Sequence, residues 1–129
     1  MSSIEKLAAK VTDWANQDPE SNYREDALHL LQRIDDGDDS GVSLAQELFG
    51  SRLAFGTAGI RGPMRGGPNG MNRLVISQTT AGVARYLKEQ AETGTGSTLR
   101  VVVGFDGRHN SEMFARDTAE VLSGHGISV

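Results

Sequence analysis

Leu99-Arg100-Val101-Val102-Val103-Gly104-Phe105, then Phe114, Thr118, Val121 and Leu122 at helical spacing, then Ile127-Ser128-Val129: this run decides the fold. The first segment is apolar and β-branched enough to be a central strand covered on both faces. The helix between it and the closing segment spans about Asn110 to Ser123, with His125-Gly126 as its stop. Strand, helix, strand in that order predicts two parallel strands joined by a right-handed crossover. A mixed sheet is equally compatible.

Working back toward the N-terminus, Gly94-Thr95-Gly96-Ser97 is a flexible break. Before it, Val75, Ile76, Thr79, Val83, Tyr86 and Leu87 mark a long helix over about Met71 to Ala91, with Asn72 as its N-cap. The preceding stretch, Gly62-Pro63-Met64-Arg65-Gly66-Gly67-Pro68-Asn69-Gly70, excludes regular structure, and Arg52 to Ile60 reads as a strand feeding it. Upstream of residue 50 the pattern is helical. Ile4, Leu7, Ala8, Val11 and Ala15 form one apolar stripe; Ala27, Leu28, Leu30, Leu31 and Ile34 form a second; Leu44, Ala45, Leu48 and Phe49 form a short third that Gly50 ends. The acidic run Asp35, Asp36, Asp38, Asp39 lacks the twelve-residue calcium-loop pattern and reads as a solvated turn between helices. The expected architecture is a helical leader over 1–50, followed by a three-layer α/β/α domain with a mixed or parallel sheet over 51–129. That domain is expected to be truncated, because the chain stops three residues into a strand.

Composition narrows the function classes. The 129 residues include no cysteine, which excludes a disulfide scaffold, a thiol nucleophile and cysteine-ligated metals. No apolar run approaches a membrane span and no secretory signal is visible, so a cytoplasmic protein is expected, with no membrane partner. The net charge of −4 argues against nucleic acid. It is unevenly spread: residues 1–50 carry −7 and residues 51–129 carry +3, and every cation of the second part except Lys88 is an arginine. The planar guanidinium fork suits phosphate and carboxylate, so a small anionic ligand is expected; ordinary surface arginines fit the composition as well.

Two glycine-rich loops carry the candidate chemistry. In Phe55-Gly56-Thr57-Ala58-Gly59-Ile60-Arg61-Gly62, glycines let backbone N–H groups approach a ligand, Thr57 adds a hydroxyl and Arg61 can grip two phosphate oxygens. The loop is an anion cradle or a tight turn with a solvent-facing arginine. In Gly104-Phe105-Asp106-Gly107-Arg108-His109-Asn110, a strand hands over to a helix N-terminus, which favours an anion near Arg108 and His109. Alternatively Asp106 pairs with Arg108 or caps the helix. No dinucleotide fingerprint, P-loop or nucleophile elbow occurs, and His29, His109 and His125 lack metal-ligand spacing.

The octet at 55–62, the following Met64, Gly66, Asn69 and Met71-Asn72, and the segment from Val101 to Arg108 together resemble the opening of the α-D-phosphohexomutase superfamily. The helical leader and the F-G-T-A-G-I-R-G form are most similar to its phosphoglucomutase-2 and phosphopentomutase branch. The resemblance implies a four-domain enzyme that interconverts hexose or pentose 1-phosphate and 6- or 5-phosphate through a phosphoserine and a sugar bisphosphate, with Mg2+. It also implies that Arg61 lies near substrate. Because ligands of α/β sheets collect where strands hand over to helix N-termini, Asp106 and Arg108 are expected to face the same cleft. The serine loop and the magnesium aspartates are expected beyond Val129, so this piece alone should be inactive and should work with the remaining domains of the same protein. Glucose, mannose, glucosamine and pentose phosphates all stay open. The alternative is a non-catalytic α/β module that holds a sugar phosphate or nucleotide, since fold alone does not fix function.

Overall fold

A serine opens the first helix. Ser2 Oγ accepts from the Glu5 N–H at 3.1 Å and the Glu5 carboxylate accepts from the Ser2 N–H at 2.9 Å. This reciprocal box starts α1 (Ser3–Gln17), which buries Leu7, Val11, Trp14 and Ala15. In the computed structural model, which describes residues 1–92 and 98–129, α2 (Ser21–Asp35) returns Ala27, Leu30 and Ile34 to the same core. The expected break at 94–97 lies outside the described residues.

Asp38 turns the acidic run into a joint. Its Oδ1 accepts from the N–H groups of Ser40 and Gly41, capping α3 (Asp39–Phe49), while its Oδ2 takes the Arg33 guanidinium of α2 at 2.7 Å. The Ser40 hydroxyl, and after it Arg33, hold this carboxyl well below the usual range. The third helix is therefore longer than its apolar stripe suggests, because the cap lies six residues upstream of Leu44. Ala45 and Phe49 complete the cluster, which Leu74 and Val75 also join. Burying each large apolar side chain there contributes on the order of 2 kcal/mol.

Contacts divide the chain into two compact units, Met1–Val75 and Ile76–Val129. Helix α4 (Arg73–Glu92) begins in the first and continues in the second. In the second unit Arg100 and Ser128 form a parallel bridge, with Val101 N–H donating to the Ser128 carbonyl and Ser128 N–H to that of Leu99. The parallel direction is as expected, and α5 (Ser111–Gly124) supplies the helix between. Ala84, Leu122 and Ile127 form the small core, with Leu87, Leu99, Val101 and Val103 packed on it.

The expectation of a central strand over 99–105, paired with 127–129 and covered on both faces, is corrected here: among the described residues the pairing is the single Arg100–Ser128 bridge. Val102 is 94 % exposed and Phe105 61 %. Alternate residues point to opposite faces, and among the described residues only the Val101 and Val103 side meets a helical layer. The α/β class itself stands, with three helices preceding the matched segment in sequence.

Asp18, at the C-cap of α1, is 3 % exposed; its Oδ1 accepts from the Glu20 N–H and its carbonyl from Arg24. Burial pushes its carboxyl up despite these bonds. A raised acid stabilises the fold below its ordinary value, and that contribution is lost as pH rises through the raised one. Asp18→Asn, which keeps the acceptor and removes the charge, is expected to raise the thermal midpoint at pH 7. The gain should shrink to nothing as pH falls below the ordinary value of 3.8. A lower midpoint at pH 7 would contradict the burial argument.

Candidate functional site

The octet at 55–62 does not continue a strand from Arg52, as the sequence suggested; it folds back on itself. β1 (Phe55–Gly56) and β2 (Gly59–Ile60) pair antiparallel, Phe55 opposite Ile60 and Gly56 opposite Gly59. Thr57 and Ala58 form the two-residue tip, both exposed. Gly59 has φ +91°, a backbone that L side chains resist, which is why the return strand starts on a glycine. Arg61 follows β2 directly, exposed, and among the described residues it has no hydrogen-bond or ion-pair partner. Thr57, Gly59 and Arg61 are thus brought together on one hairpin.

The glycine- and proline-rich stretch behind the hairpin is tied at many points. Leu53 N–H donates to the Pro68 carbonyl at 3.0 Å and Met71 N–H to that of Pro63 at 2.8 Å, beside a parallel bridge between Met64 and Met71. Arg65 Nη1 meets Glu47 of α3 at 2.7 Å, while its Nε and Nη2 hold the Asn69 carbonyl. Asn69 donates its backbone N–H to the Leu48 carbonyl and its side-chain amide to that of Glu47. Gly67, at φ +87°, lies so close to α3 that a Cβ would stand 2.5 Å from the Leu48 carbonyl oxygen. A cavity of about 470 Å³ lies between this stretch and the leader, floored by Leu30, Leu48 and Phe49 and edged by Tyr23 and Met64. None of Thr57, Gly59 or Arg61 lines it.

Asn72 is 1 % exposed. Its Nδ2 donates to the carbonyls of Gly67 at 2.7 Å and Arg65 at 2.9 Å, with Gly70 farther at 3.4 Å. Its Oδ1 accepts from Val75 N–H at 3.0 Å, which is the expected capping of α4. Sequence reasoning found the cap and missed the amide, as it missed Glu47, Arg65 and Asn69. A signal was present: prolines donate no N–H, so buried carbonyls in such a stretch need side-chain donors, and Arg65, Asn69 and Asn72 are donors within reach.

Arg108 and His109 belong to the other unit, in the turn before α5, and both are exposed. Asp106 accepts from the Arg108 backbone N–H at 3.0 Å and from its Nε at 2.8 Å, and the Asp106 N–H reaches Ser111 Oγ. The Arg108 backbone bond is the main reason that this carboxyl is held below its ordinary range. Of the two sequence readings for Asp106, pairing with Arg108 is the one present. Asn110, with φ +64°, precedes α5 without a side-chain cap bond. Among the described residues no three histidine, aspartate or glutamate side chains converge as metal ligands, so the donor set of this segment does not fit Mg2+.

A helix flanked by one parallel bridge, Arg100 to Ser128, follows three N-terminal helices and a small hairpin. Residues 52–129 match the family model for phosphoglucomutase/phosphomannomutase, alpha/beta/alpha domain I, and the chain belongs to that family. Over 58 residues it is 48 % identical to a probable phosphomannomutase of Haemophilus influenzae, covering 45 % of this chain and 11 % of that protein. It is 36 % identical over 92 residues to a phosphoglucomutase of Staphylococcus haemolyticus, covering 71 % and 16 %. Against a phosphoglucomutase of Staphylococcus aureus it is 42 % identical over 84 residues, covering 65 % and 14 %. The chain therefore spans a small part of these relatives' own length. No solved structure matches it. Among the described residues no helix is long and apolar enough to cross a membrane.

Proposed function

We propose that this chain is the N-terminal part of a phosphosugar mutase, an isomerase of carbohydrate metabolism acting in the cytoplasm on hexose or pentose phosphates. In this proposal residues 1–50 are a helical leader and 51–129 a partial first domain. The observation that carries it is Arg61: an exposed guanidinium without an internal partner among the described residues, set directly after a glycine hairpin whose base is bonded to the turn at residues 63–71. Such an arginine can take two phosphate oxygens in a fixed geometry. Thr57 offers a hydroxyl, and Gly59 a backbone with no side chain in the way. Arg108 and His109 add phosphate contacts from their own turn, and there the ligand must displace the exposed Asp106 pairing. Phosphoryl transfer needs positioned cations and an in-line nucleophile. In this reading the phosphoserine loop and the magnesium ligands belong to other parts of the protein, and the bisphosphate intermediate forms there.

The test compares the 129-residue chain with the full-length protein, each given glucose, mannose or ribose 1-phosphate with magnesium and catalytic bisphosphate. The full-length protein is expected to produce the isomeric phosphate, and the chain alone none. Turnover by the chain alone would overturn the placement of the catalytic loops. A full-length protein that binds these phosphates without converting any of them is instead the non-catalytic binding module.

A further inference from the structure

We propose that Asn72 is a positioning residue for the Arg61 hairpin, acting through the turn at residues 63–71 rather than by touching ligand. The inference rests on the reading of that hairpin as a phosphate site. A hairpin with only two residues in each strand has little stability of its own, so its aim is set by what holds its two ends. Both ends lead to one turn. On the entry side, Leu53 is bonded to the Pro68 carbonyl; on the exit side, the Pro63 carbonyl is bonded to Met71.

In that turn Pro63 and Pro68 supply no N–H and Gly66, Gly67 and Gly70 no side-chain donor, while Arg65 and Asn69 spend their donors on Glu47 and on the Asn69 carbonyl. The buried amide of Asn72 draws the Arg65 and Gly67 carbonyls onto one nitrogen, and its oxygen fastens the same side chain to the first turn of α4. A buried carbonyl left without a donor costs free energy comparable to a lost hydrogen bond. Removing the amide is therefore expected to loosen the turn and, with it, both ends of the hairpin, while a surviving cap keeps the helix.

Serine caps helices well but cannot reach those carbonyls, so Asn72→Ser separates the two roles. In amide spectra of the 129-residue chain, Asn72→Ser is expected to keep wild-type helical circular dichroism. The resonances of Phe55 to Arg61 should nonetheless shift or broaden, and the affinity for inorganic phosphate read at those amides should fall by about tenfold or more. Asn72→Asp at neutral pH is expected to do the same, because a carboxylate cannot donate. Acidification should then partly restore the hairpin resonances, since a protonated carboxyl regains one donor. Unchanged hairpin resonances in a folded Asn72→Ser chain overturn the proposal. If that variant loses its helices, the acid rescue of Asn72→Asp decides, and its absence overturns the proposal equally. A wild-type chain with no phosphate response refutes the site reading alone, and the positioning role is then judged on the hairpin resonances.

Discussion

Replacing Arg61 by lysine in the full-length protein is expected to lower kcat/KM for the proposed mutase reaction by about a hundredfold, nearly as far as Arg61→Ala does. Lysine keeps the charge but not the planar fork. If Arg61 acts by gripping two oxygens at a fixed angle, geometry carries most of the effect and charge alone recovers little. The backbone at Arg61 is itself held in position, because the hairpin's two ends are fastened at Leu53 and Pro63. Steady-state kinetics on both variants check this. Full activity in both would remove Arg61 from the site. An active lysine variant beside an inactive alanine variant would leave a simple electrostatic role.

The second large effect concerns stability. Gly67→Ala is expected to destabilise the first unit by about 3 kcal/mol or more, well beyond Gly37→Ala at about 1 kcal/mol. Both glycines have positive φ, +87° and +76°, so both substitutions carry backbone strain. They differ in space. A Cβ at Gly37 meets nothing within 4 Å, whereas one at Gly67 runs into the Leu48 carbonyl oxygen, which α3 cannot move cheaply. The same shift would pull the Gly67 carbonyl away from Asn72. Trp14, the sole tryptophan and buried in the leader core, reports on this unit in denaturant titrations followed by fluorescence. Equal losses in the two variants would mean that strain alone matters and the close approach does not.

The first two helices were legible because most of each apolar stripe is what they bury, Leu7, Val11 and Ala15 in α1, Ala27, Leu30 and Ile34 in α2, whereas Val83 and Tyr86 of the α4 stripe are exposed. The octet pointed to the family, and residues 52–129 match it. Three things were not legible. The valine run reads as central by composition, yet composition does not say how many neighbours a strand has, and Val102 stands 94 % exposed. The hairpin tip Thr57-Ala58 lacks the Asn-Gly or Asp-Gly signal of a tight turn, so only the spacing of Gly56 and Gly59 hinted at the fold-back. The work of Asn72, Arg65 and Asn69 depends on which carbonyls come within reach, and that is fixed by tertiary approach rather than by any local preference.

The order of the chain gives the leader a part in time. Its three helices are complete by Phe49, and each packs on near neighbours in sequence, the kind of topology that forms fast. On a ribosome these residues emerge before the glycine-rich segment, and earlier elements can begin to assemble while later ones are still being made. The backbone of Glu47 and Leu48 that receives Asn69 would then exist as a surface before the glycine-rich segment is released. Synthesis order thus lets a stretch with little regular secondary structure fold against a ready template, which spares it a search that its glycines would otherwise make long.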